Sequence, residues 1–120
     1  MSGLFNKSFE VTLTDELAIE LESVLTESYQ HLKNSGYSGQ ANYLKRILKT
    51  VIDRDSKLFK KLVLARDLLG GAGSVLDVWI EPESMRELFD VSFNKFLNLT
   101  IQTGLTHQAV REAEHITRIR

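Results

Sequence analysis

A single proline, Pro82, interrupts 120 residues. The rest of the chain is therefore free of the residue that most reliably breaks helices, and apolar side chains recur along it three and four positions apart. Either Thr12 or Thr14 can cap a first helix whose opening turn holds Asp15 and Glu16. Leu17, Leu21, Val24, Leu25, Ser28 and Leu32 then fall on one stripe, and Asn34-Ser35-Gly36 supplies the stop. A second helix from Ser38 turns Ala41, Leu44, Ile47, Leu48, Val51 and Ile52 inward and Lys45, Arg46 and Lys49 outward. Asp53 is spaced to pair with Lys49 or Lys57.

The third helix, predicted over 56–69, is apolar nearly all round. Leu58, Leu62, Ala65 and Leu69 form one stripe, and Phe59, Val63, Leu64 and Leu68 widen it. That pattern predicts a central position. A fourth helix opens at Glu83 or Ser84, is lined by Met85, Leu88, Phe89, Phe93, Phe96 and Leu99, and ends at Thr103-Gly104; Ile101 falls off its inner face. A fifth, from Thr106, has an inner face of Ala109, Val110, Ala113 and Ile116. Two short runs read differently. Phe9, Val11 and Leu13 alternate with polar residues, and 75–80 is β-prone, so the two could pair as a two-stranded ribbon. The expectation is a mainly α fold: one domain over 1–120, a compact bundle of about five helices, with that ribbon near the glycine-rich loop.

A hydrophobic share of 42% and a charged share of 26% are ordinary for a globular domain. The absence of cysteine excludes a disulfide scaffold, thiol catalysis and cysteine-bound zinc, and suits a reducing cytoplasm. Residues 1–11 lack the apolar core of a leader, and Gly3 is one place too late for myristoylation. With no 18-residue apolar run, no membrane association is expected. Net charge is only −1, but it is unevenly spread. Residues 1–44 hold 2 basic and 6 acidic side chains, 45–66 hold 8 and 2, and 67–95 hold 2 and 6.

Gly70-Gly71-Ala72-Gly73-Ser74 could cradle phosphate on its backbone N–H groups. No lysine follows it as a P-loop needs, and the order helix-then-strand is the reverse of a dinucleotide fingerprint. A helix cap and a tight turn account for it better. Glu112-x-x-His115 matches half of a carboxylate-bundle metal motif, but the chain has no second Glu-x-x-His. No metal or cofactor is expected, and a Gly-x-Ser-x-Gly elbow is absent, so no enzyme activity is expected either. Lys45, Arg46, Lys49 and Arg54 open a nucleic-acid reading of 45–66. Asp53 and Asp55 interrupt the run, no aromatic residues interleave, and the pI near 6.3 is acidic, all of which weigh against it.

The acidic surfaces point instead to a protein partner. Glu16, Glu20 and Glu27 flank the first apolar stripe, and Ile19 points away from it among Asp15, Glu22 and Thr26. Val91 stands likewise near Glu87, Asp90 and Asn94. Apolar spots ringed by carboxylates suit docking onto a basic partner, with Glu16, Ile19, Glu20, Glu27, Glu87 and Asp90 as the expected contacts. Trp79 is read as a core anchor rather than a hot-spot residue.

The run Gly70-Gly71-Ala72-Gly73-Ser74-Val75-Leu76-Asp77-Val78 resembles the signature of a family of small uncharacterised bacterial proteins. That signature is Gly-Gly-Met-Gly-Ser, a hydrophobic residue, then Asn-Asp and an apolar strand, set between amphipathic helices. Residues 40–100 match its layout, with Ala72 in place of Met and Leu76 in place of Asn. This resemblance implies no activity. By type rather than by motif, a single-domain, cysteine-free, acid-patched chain is also similar to bacterial immunity proteins, which bind a toxin domain and cover its active site. That likeness implies a cytoplasmic toxin inhibitor with a basic toxin as partner. The alternative is a nucleic-acid-associated or regulatory adaptor using 45–66.

Overall fold

Thr14 sets the start of the first helix. Its backbone is extended, and its Oγ1 accepts the Leu17 N–H at 3.2 Å, satisfying a donor that the helix itself cannot. The computed structural model describes residues 9–120, so most of the 1–11 segment considered for a leader, and Gly3, lie outside the described residues. Six helices follow one another: α1 (Asp15–Asn34), α2 (Ser38–Ile52), α3 (Ser56–Val63), α4 (Arg66–Leu69), α5 (Glu83–Gln102) and α6 (Gln108–Ile119). The architecture is the expected mainly α bundle. α1 packs between α2 and α5, α5 between α1 and α6, and the short α3 and α4 close against α2.

The predicted stripes become the core. Leu21, Val24, Leu25, Ser28 and Leu32 of α1 meet Ala41, Leu44, Ile47 and Val51 of α2, and Phe89, Phe93 and Phe96 of α5. The three phenylalanine rings stack in series, with centroids 5.4 and 5.7 Å apart. Each is fully buried, the setting in which truncation to alanine costs about 3–5 kcal/mol. A polar contact in this layer is satisfied: Ser28 Oγ donates to Ser92 Oγ at 2.8 Å, and Ser92 donates on to the Phe89 carbonyl.

Four expectations are corrected. The predicted third helix breaks after Val63: Leu64 ends α3, and Ala65 is extended before the single turn of α4. A straight helix can bury one side only, and the break turns Leu68 fully into the core after Phe59, Leu62 and Val63 have entered it. Leu58 and Leu64 stay exposed, so this segment caps the bundle's flank and α1 and α5 hold the centre. Second, no ribbon forms among the described residues, because the backbone groups of each run are taken elsewhere. Thr12 N–H donates to the Thr103 carbonyl (2.8 Å), whereas Val75 and Leu76 N–H donate to Asp67 and Leu68 (3.0 and 2.9 Å). Third, Ile52, Leu88 and Ile116, placed on inner faces, are exposed, while Tyr43 and Thr117 are buried and Ile101 packs partly against the core. Fourth, Trp79 is 57% exposed. Val78 and Ile80 point inward, and alternation along extended chain sends the residue between them outward.

Candidate interaction surfaces

The outer face of α1 carries the expected acidic row. Glu16, Glu20 and Glu27 are all exposed and fall within about 40° of one another around the helix. Ile19, 64% exposed, stands one step round from them. Among the described residues none of these three carboxylates, nor that of Glu22, forms an ion pair. Beside the row, Glu20, Ser23 and Val24 line an open groove against Lys95, Asn98, Leu99 and Gln102 of α5.

The second expected spot is built differently. Glu87 and Val91 are exposed, but Asp90 is buried, and its Oδ1 accepts both Nε and Nη2 of Arg120 at 3.1 and 2.9 Å. The carboxylate therefore faces α6, not an outside partner. Its neighbours are similarly occupied: Asn94 Nδ2 donates to Glu114 Oε2 at 2.9 Å, and Arg118 Nε donates to the same oxygen at 3.2 Å. These donors, with Asn98, hold the Glu114 carboxyl below the ordinary glutamate range. Lys95 lines the groove here as well as the one beside α1, so a cation stands between the two expected spots. Sequence spacing could not show that Arg120 comes back onto Asp90.

In the glycine-rich loop, Gly71 and Gly73 hold φ of +104° and +83°, which side chains other than hydrogen rarely adopt. The loop's polar groups serve the fold. Gly73 N–H points to Asp77 Oδ2 at 3.4 Å, where an anion would otherwise sit, and the Gly73 carbonyl accepts from Gln40 at 3.2 Å. Asp67 adds a second negative charge to the small pocket there. Ser74 Oγ is buried without a hydrogen-bond partner.

The cations of 45–66 are largely engaged. Lys49 pairs with Asp53 at 2.9 Å as its spacing predicts, Arg54 reaches Asp15 at 3.4 Å, and Lys60 donates to the Phe9 carbonyl at 3.3 Å. Lys45 lies over the Tyr29 ring at 5.9 Å and Arg46 over Tyr43 at 5.5 Å. Burial, then the nearby Asp67 charge, pushes the Tyr43 hydroxyl up, and that hydroxyl donates to the Leu62 carbonyl.

His107 Nδ1 accepts the Ala109 N–H and caps α6, and His115 Nδ1 lies 3.0 Å from Arg118. Among the described residues no group of three or more His, Asp or Glu is placed to hold a metal, and no helix is long and apolar enough to cross a membrane.

Two of the apolar residues exposed against expectation, Trp79 and Ile52, stand out. Trp79 has two partners: Arg86 stacks on its ring at 3.9 Å, and Tyr37 Oη donates to its carbonyl and accepts its N–H. Ile52 is 53% exposed near the end of α2. Compared with known proteins, the chain matches no family model, no curated protein and no solved structure.

Proposed function

We propose that this chain is a cytoplasmic binding protein of immunity type that captures a basic partner, such as a toxin domain, on the outer face of α1 and occludes it. One observation carries the reading: Glu16, Glu20 and Glu27 stand exposed and free of ion pairs among the described residues, beside the solvated Ile19. Carboxylates without internal partners keep their field for an incoming cation and steer its approach. Ile19 then offers the apolar centre that such an interface needs within a polar rim. Glu87 contributes from α5, and Asp90 acts only by holding Arg120 in place. The chain's own residues are assigned no catalysis and no cofactor.

The test uses the purified polypeptide encoded directly upstream, where a toxin sits relative to its inhibitor. Association with the wild type should be fast and fall steeply with salt. Glu16→Lys with Glu20→Lys should slow association roughly tenfold or more and flatten the salt dependence. Unchanged kinetics would remove this face from consideration.

A further inference from the structure

The two helices of the α1–α2 hairpin carry opposite charge on adjoining outer edges, and an exposed isoleucine stands on each edge. Asp15 reaches Arg54 at 3.4 Å and Tyr29 lies under Lys45, so the stripe Asp15-Ile19-Glu22-Thr26-Tyr29 is the edge of α1 nearest α2. Lys45, Leu48 and Ile52 form the matching edge of α2. The helices run antiparallel through the turn at 35–37. Ile19 is four residues in from Asp15, and Ile52 is two residues before Arg54. At 1.5 Å per residue they stand within about 5 Å of the same level. The result is an apolar seam of Ile19, Leu48 and Ile52, with the half-buried Glu22 on its α1 edge, Glu16 and Glu27 beyond it on one side, and Lys45, Arg46 and Lys49 on the other.

We infer that this seam is the interface of a two-fold dimer, its occupant a second copy of the same chain. For two such faces to meet, the symmetry axis must lie in the plane of contact. An axis across the helices would set α1 on α1 and carboxylate on carboxylate. An axis along the helices sets α1 of each copy over α2 of the other at unchanged height. Ile19 then meets Ile52 of the second copy twice over. Glu22 comes opposite Lys49 and Glu27 opposite Lys45 and Arg46, because the antiparallel hairpin already places those residues at equal levels. Charge therefore selects one arrangement, and the isoleucines supply its dry centre. The seam shares Ile19, Glu16 and Glu27 with the face proposed to capture a basic partner, so the two associations compete, whereas Ile52 and Lys49 belong to the dimer alone.

Sedimentation velocity of the full chain at low salt tests it. The wild type should dimerise with rising concentration and dissociate as salt is added. Glu22→Lys with Glu27→Lys, and separately Lys45→Glu with Lys49→Glu, should each raise the dissociation constant roughly tenfold or more. An equimolar mixture of the two double variants should recover the dimer, because both seams of the mixed pair again oppose unlike charges. Ile52→Glu, exposed and so harmless to folding, should also dissociate it. A wild type still monomeric at roughly 1 mM, the weak end of specific association, overturns the inference. So does a dimer indifferent to these variants, or a mixture that stays monomeric.

Discussion

Glu114 accepts hydrogen bonds from Asn94, Asn98 and Arg118, and these donors keep its carboxyl ionised below the ordinary glutamate range. The folded chain thus releases this proton more readily than the unfolded chain. The stabilisation is complete above the ordinary glutamate value and is lost as pH falls through the lowered folded one. Glu114→Gln should therefore lower the urea midpoint at neutral pH and bring it close to that of the wild type under strongly acidic conditions. A midpoint difference that persists in acid would contradict the account. Individual residues also mark the limits of spacing arguments. The exposure of Glu16, Ile19, Glu20 and Glu27 was legible because a stripe buried on one side of a helix leaves one outer side. Asp90 was not, because its partner lies 30 positions away.

Among the elements, the well-defined ends are those with local chemistry. Thr14, Ser38 and Thr103-Gly104 bound their helices as expected, through a side-chain cap or a turn written in neighbouring residues. The connection after α5 adds a tertiary demand. Gly104 has φ of +105°, and a Cβ there would collide with the Glu10 carbonyl oxygen, next to the Thr12–Thr103 hydrogen bond. Gly104→Ala should cost at least about 2 kcal/mol and loosen the 9–13 run from the bundle. Thermal unfolding and faster amide exchange at Thr12 would register it, and a wild-type melting temperature would contradict it. The third predicted helix failed for a related reason: its periodicity was read correctly as apolar all round, but a helix adjoining the core on one flank cannot bury every side.

At the scale of the whole molecule, Arg120 ties three segments together. It bonds Asp90 on α5 and the Leu76 carbonyl in the loop after α4, and it ends α6. Arg120→Ala should leave the Asp90 carboxylate buried without its partner, at about 1–3 kcal/mol. α6 should then fray from its C-terminal end, seen as faster amide exchange over 113–119; unchanged protection there would show the clamp to be dispensable. The residue pattern by itself determined the helical class, most helix limits, the apolar stripes and the acidic outer row of α1. All of these follow from contacts within one or two turns, where spacing along the chain equals spacing in space. Only the tertiary structure decided that the third helix breaks, that the two β-prone runs part company, that Trp79 and Ile52 face outward and that Asp90 is spent on Arg120. Those outcomes depend on which distant segment arrives beside each residue, and periodicity holds no information about that.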